Sequence, residues 1–188
     1  MTVRDLFARL RDKLDAAKVP YMLTGSFAGA IHGVPRATQD IDVVIAPTRK
    51  QLLDLLDRFP ETDYYADRET ALHALSSRGQ FNVIDFATGW KVDLIICKQR
   101  DFSLEEFSRR KPMPVLDTTL EVASPEDVII AKLEWAKIGS SERQIADASG
   151  IIRVQGESLD IQYIQRWVKI LNLMEQWSKA LAAAAEIP

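Results

Sequence analysis

The chain has 188 residues, 47% hydrophobic and 27% charged, with a formal net charge of −3. That length supports one sizeable core with a helical appendage, and the slightly acidic balance excludes a strong global attraction to nucleic acid, leaving only a local basic patch for that purpose. The single cysteine, Cys97, excludes an intrachain disulfide and gives no sign of an oxidising compartment. No apolar run approaches the ~20 residues needed to span a bilayer. Charges interrupt the apolar pattern of the first residues, so no signal peptide is read there and a cytoplasmic protein with no membrane partner is expected.

Val3, Leu6, Phe7, Leu10, Leu14 and Ala17 recur at helical spacing, which predicts an amphipathic helix over 3–18 packing on a sheet. Pro20 ends it, and the apolar run Tyr21-Met22-Leu23 predicts a short strand reaching Thr24. Gly25-Ser26 then leads into a helix from 26 to 32. Glycine lets the backbone approach a ligand closely, and free amides at a helix N-terminus favour anions such as phosphate. His32 reads as a helix-end residue near the C-terminal dipole. Gly33-Val34-Pro35 forces a turn, and Arg36-Ala37-Thr38-Gln39 leads into the run Asp40-Ile41-Asp42-Val43-Val44-Ile45.

In a strand, side chains two apart share a face, so Asp40 and Asp42 point one way and Ile41 and Val43 the other. Two carboxylates held this close repel and lose hydration, and the arrangement calls for a positive group between them. A divalent cation with a preference for hard oxygen ligands, magnesium above all, is the natural candidate.

Pro47-Thr48 starts a second helix, 49–58, with Leu52, Leu53, Leu55 and Leu56 as its buried side. Between 61 and 80 the pattern is weaker: Tyr64-Tyr65 suggests a short strand and 68–75 a helix, with His73 at its surface. Phe81–Phe86 and Lys91–Ile96 flank Ala87-Thr88-Gly89-Trp90 and predict an antiparallel hairpin. Its second arm sets Asp93 between Val92 and Leu94, where an unpaired acid is costly. Asp93 is thus a third metal-ligand candidate, with Asp85 on the opposite arm as its rival. No metal-ligand spacing links His32, His73 and Cys97, which excludes a zinc site; Cys97 reads as a buried, inert thiol.

Residues 101–112 form a charged stretch whose Arg109-Arg110-Lys111 reads as a solvated face, with RNA or triphosphate binding as the sharper alternative. Strands are predicted at 114–116 and 120–123, then a helix over 125–137 with Ser124 as N-cap and Pro125 at its first position. Val128, Ile129 and Leu133 are its expected core residues, with Trp135 a further candidate. A helix carrying Arg143 and Asp147 is expected to end near Gly150, followed by helices over 159–171 and 173–184 in which Trp167 and Trp177 form a core stripe.

Gly25-Ser26, then Gly33-x-x-Arg36-x-Thr38-x-Asp40-Ile41-Asp42, then an acid in a strand of the form polar-Val-Asp-Leu-Ile, resemble the nucleotidyltransferase fold of the DNA polymerase beta superfamily. The branch most similar is that of AbiEii-type toxins and related small bacterial nucleotidyltransferases. The separation between Gly25-Ser26 and Asp40 lies at the long end for the superfamily, taken up by the Gly33-Val34-Pro35 turn. The resemblance implies an α/β (α+β) fold with a mixed central sheet flanked by helices, divided as a catalytic core over 1–123 and a helical part over 124–188.

The resemblance also favours Asp93 over Asp85, and implies that Asp40, Asp42 and Asp93 bind two Mg2+ ions. Gly25 and Ser26 would hold a nucleoside triphosphate, with Arg36, Thr38, Lys132 and Asp147 as further nucleotide-binding candidates. For Lys132 and Asp147, a structural ion pair between two helices is the alternative. The implied activity is transfer of a nucleoside monophosphate from an NTP such as ATP to a hydroxyl, with RNA (tRNA) as acceptor and an antitoxin protein as partner. A small molecule or a protein is the alternative acceptor, and a catalytically silent binding module of the same fold the alternative role.

Overall fold

The computed structural model describes residues 2–38 and 40–186. Gln39, read above as part of the lead into the Asp-bearing strand, and the two terminal positions at the C-terminus lie outside them. Tertiary contacts divide the chain into two compact units: Met1–Thr24 with Thr38–Val122, and Gly25–Ala37 with Ala123–Pro188. The stretch 25–37 therefore belongs with the C-terminal helices.

The first unit is built on a sheet of seven strands: β1 (Tyr21–Leu23), β2 (Asp40–Ile45), β3 (Tyr64–Ala66), β4 (Gln80–Asp85), β5 (Lys91–Ile96), β6 (Lys111–Val115) and β7 (Thr118–Val122). Their order across the sheet is β3-β4-β5-β2-β1-β7-β6. β2 runs parallel to β5 and β1 to β7, and the other neighbours are antiparallel, so the sheet is mixed. The edge strand β6 carries Pro112 and Pro114, opposite Glu121 and Thr119 of β7.

One face of this sheet is apolar because of strict alternation. Ile41, Val43 and Ile45 of β2 and Val92, Leu94 and Ile96 of β5 are buried, and Phe81 and Val83 of β4 join them. Helix α1 (Val3–Ala16) buries Leu6, Phe7, Leu10 and Leu14, the stripe its spacing predicts, and is held at its start by a capping box between Thr2 and Asp5. Each such fully buried side chain contributes about 1.5–3 kcal/mol relative to exposure. α1 packs on β7 and on α3 (Arg49–Leu56), and α4 (Arg68–Ser77) on β4 and β5. In α3, Leu52, Leu55 and Leu56 are buried, while Leu53 is only half-buried.

The charged stretch after β5 is a helix, α5 (Asp101–Ser108), that buries Phe102, Ser103 and Glu106. Lys111, read as part of a solvated run, begins β6. Cys97 is buried, and burial pushes its thiol pKa up, as expected of an inert thiol.

The second unit contains α2 (Gly25–His32), α6 (Pro125–Gly139), α7 (Glu142–Gln155), α8 (Ile161–Ile170) and α9 (Met174–Ala185), with a 3-10 turn at Gly156–Ser158. Ser124 caps α6 by accepting the amide of Asp127, with Pro125 at the start as predicted. α7 runs on past Gly150 to Gln155. A Cβ on Gly150 would stand 3.4 Å from the Val34 side chain, so this glycine marks a close packing contact within a helix.

Trp167 and Trp177 are core residues, as are Leu159, Ile164 and Val168, whereas Met174 and Leu181 are exposed. Trp135 is 60% exposed and leaves the expected core; on α6 the buried side runs through Ile129, Leu133 and Ala136. His32 ends α2 as expected; it is 3% exposed, and its Nε2 lies 2.7 Å from the Ala123 carbonyl. Among the described residues no helix is long and apolar enough to cross a membrane.

Candidate functional site

The sequence-predicted site residues fall into two groups, one in each unit. In the first unit the parallel register of β2 and β5 sets Asp42 directly opposite Asp93 and Asp40 directly opposite Lys91. Cα partners on adjacent strands place their side chains on the same face of the sheet, so Asp40, Asp42, Lys91 and Asp93 share the face opposite the apolar one. Across β4, Asn82 stands opposite Asp93 and Ile84 opposite Lys91. The Thr24 amide donates to the Asp42 carbonyl at 3.0 Å, holding the end of β1 at the metal-candidate strand.

Strand parity puts Asp93 and Asp85 on opposite faces of the sheet. Asp85 shares the apolar side with Phe81 and Val83, is 1% exposed, and is ion-paired with Arg9 of α1. Its charge is thus committed to holding α1 on the sheet, on the face away from Asp40 and Asp42.

The group with Asp93 has a positive member that the sequence reading missed. Lys91 Nζ lies 3.0 Å from Asp93 Oδ2 and 3.4 Å from Asp40 Oδ1. The hydrogen bond to Asp93 and the charges of Asp93 and Asp40 hold the ammonium pKa above its ordinary value, against a smaller opposing effect of burial. Among the described residues no set of three or more His, Cys, Asp or Glu side chains is gathered around a common metal position.

Backbone register nonetheless suits a hard cation. It gathers three carboxylates on one face, and the carboxylate oxygens of Asp40 and Asp93 already converge on a cation, the ammonium. Thr38 turns its hydroxyl to the strand backbone, with Oγ1 3.3 Å from the Asp40 carbonyl and 3.4 Å from the Asp40 amide.

The second unit holds the other group. Gly25 has φ +64°, a left-handed turn that glycine adopts without strain, and it opens α2 one residue before Ser26. Arg36 donates from Nη2 to Ser26 Oγ, and its Nε is shared between both Asp147 oxygens at 3.1 Å. Lys132 donates from Nζ to Asp147 Oδ2 at 2.7 Å and to Gln144 Oε1 at 3.3 Å.

Lys132 is 4% exposed and threads past Gly29, where a Cβ would stand 3.0 Å from Lys132 Cε. Thus Ser26, Arg36, Lys132 and Asp147 form one connected polar cluster: two cations and one carboxylate beside the first turn of α2. The Arg36 guanidinium stands beside the first turn of α2, a place that favours anions.

A seven-stranded mixed sheet bearing Asp40-x-Asp42 and Asp93 on adjacent parallel strands, flanked by helices, is the nucleotidyltransferase fold. No protein-family model matches the chain, and no curated protein sequence does. Among solved structures, the chain is similar to the antibiotic-resistance factor ANT(2'')-Ia in its solution structure, with TM-score 0.55, 13% identity, and 93% of this chain and 92% of that one covered. The crystal structure of ANT(2")-Ia in complex with adenylyl-2"-tobramycin gives TM-score 0.51 at 13% identity, covering 97% of each chain. An antigenic nucleotidyltransferase-like protein from Paracoccidioides brasiliensis gives TM-score 0.52 at 18% identity, covering 92% of this chain and 88% of that one.

Proposed function

We propose that the chain is a divalent-metal-dependent nucleotidyltransferase that moves a nucleoside monophosphate from an NTP to a hydroxyl. The observation that carries this reading is the register that sets Asp42 opposite Asp93, with Asp40 on the same face, within the nucleotidyltransferase fold. A silent module of the same fold is the alternative, but three carboxylates on one face exceed the single positive charge of Lys91 that answers them.

In this reading Asp40, Asp42 and Asp93 hold the metal, as a pair of Mg2+ ions. When bound, the ions acidify the attacking hydroxyl and offset charge on the departing pyrophosphate. Asp93, the least exposed of the salt-bridged acids on this face, accepts the proton of the hydroxyl. Gly25 and Ser26 hold phosphate oxygens through the first turn of α2, and Arg36 and Lys132 supply positive charge toward the triphosphate. Asp147 orients those two side chains. Thr38 steadies the start of β2 through its hydroxyl. The division into a core over 1–123 and a helical part over 124–188 is proposed on the same grounds, with 25–37 counted among the helical contacts.

For the acceptor we favour a hydroxyl of a small molecule. The support is that ANT(2")-Ia, solved in complex with adenylyl-2"-tobramycin, is similar over nearly the whole of both chains. The net charge of −3 also suits a cationic small molecule better than RNA. The test offers each alpha-labelled NTP with Mg2+ to an aminoglycoside panel, total RNA (tRNA included) and total protein, using wild type and Asp42→Ala. We expect label in the aminoglycoside pool and at least about a hundredfold loss in the variant with its fold retained. A folded Asp42→Ala that still transfers at near wild-type rate refutes the enzyme reading. Label in tRNA instead moves the acceptor to RNA and brings the AbiEii-type toxin, with its antitoxin partner, to the front.

A further inference from the structure

The position of Lys91 on the carboxylate face is required by neither the fold nor the proposed chemistry. It begins β5 directly opposite Asp40, and its ammonium reaches across to Asp93 and Asp40 at 3.0 and 3.4 Å. We propose that Lys91 is a built-in counter-ion: it holds Asp40 and Asp93 together in the metal-free protein, is displaced when a divalent cation binds, and so sets the metal concentration at which the site fills. This rests on the nucleotidyltransferase reading above.

Three carboxylates on adjacent strand positions repel one another unless a cation stands among them. One ammonium answers part of that repulsion and leaves a net charge of −2 on the four side chains, so the face still attracts a divalent ion. Once such an ion is seated, the ammonium becomes a like charge a few ångströms away and loses its acceptors to the metal. It can leave at small cost. The Lys91 side chain is 37% exposed and its stem is flexible, whereas Asp93, at 12%, is fixed in the sheet. Metal and ammonium therefore compete for the same oxygens.

The experiment titrates the full chain with Mn2+ at constant ionic strength, reading bound ion by electron paramagnetic resonance, for wild type, Lys91→Met, Lys91→Arg and Asp42→Ala. Lys91→Met should bind Mn2+ about three- to tenfold more tightly, the range that one or two half-exposed ion pairs are worth, and Lys91→Arg should stay close to wild type. Equal or weaker binding by Lys91→Met overturns the proposal while leaving the metal reading intact. No binding by either protein, or wild-type binding by Asp42→Ala, overturns both.

Thermal unfolding supplies a second readout in which folding of each variant is seen directly. In EDTA, Lys91→Met should melt below wild type, and saturating Mn2+ should raise its Tm by more than it raises that of wild type. Equal rises in the two proteins count against the counter-ion role. Lys91→Gln repeats the comparison should the Met variant fail to fold.

Discussion

Replacing Asp147 by Ala tests the polar cluster of the second unit. The carboxylate takes Lys132 at 2.7 Å and Arg36 at 3.1 Å, and the Lys132, Asp147 and Arg36 side chains are 5%, 15% and 23% exposed. Removing one partner of a fully buried ion pair costs about 3–5 kcal/mol, because the remaining charge has lost its compensation. Lys132 keeps Gln144 Oε1 at 3.3 Å, and Arg36 retains some access to water. The expected loss is accordingly about 2–4 kcal/mol, each kcal/mol lowering Tm by about 2–4 °C in a chain of this size.

Urea unfolding followed by tryptophan fluorescence measures this loss, since Trp167 and Trp177 are buried in the same unit. Lys132→Met combined with Asp147→Leu should recover a large part of it, because an apolar pair of similar volume replaces a buried ion pair at little cost. An Asp147→Ala loss below about 0.5 kcal/mol, or a double variant as unstable as the sum of its parts, refutes the argument.

Gly33→Ala should lose about 1–3 kcal/mol, since its Cβ would stand 2.9 Å from the Ile151 backbone nitrogen, which can move only with α7. Gly139→Ala, with nothing within 4 Å of the new methyl and a place in the last turn of α6, should instead gain up to about 1 kcal/mol in the same urea assay. Burial holds the His32 pKa below its ordinary value, against the opposing effects of the Ala123 carbonyl and Glu126. In the window below about pH 6.5 the unfolded chain therefore binds the proton first, and stability should fall as pH drops toward the folded-state pKa. His32→Gln should show a flatter stability–pH slope in that window, and an unchanged slope removes His32 as the cause.

Much of the sheet was legible because its strands announce themselves locally. Asp40-Ile41-Asp42-Val43 alternates cleanly, and the hairpin of β4 and β5 shows two apolar arms around a turn. The acid between Val92 and Leu94 also stands out locally, and the register places it opposite Asp42. What escaped depends on partners distant in sequence. Lys91 reaches Asp40 only because β2 and β5 pair in parallel, a register that no local pattern encodes. His32 was legible as a helix end, but its burial was not, because its partner, the Ala123 carbonyl, lies 91 residues away. Helix α5 was hidden by its charges, since one of its buried positions is Glu106 rather than an apolar residue. Gly150 read as a helix stop, whereas its missing side chain makes room for Val34.

Pro112 and Pro114 sit on the outermost strand, two residues apart and both opposite β7. Alternate residues of an antiparallel edge strand aim their amides the same way, and a proline is tolerated there only where its missing donor faces outward. The rim of the sheet at β6 thus lacks two successive donors that an incoming chain would need, and the opposite rim, β3, offers only three residues. Self-association by strand addition is blocked at one border and short of length at the other. Concentrated solutions of the protein should resist fibre growth.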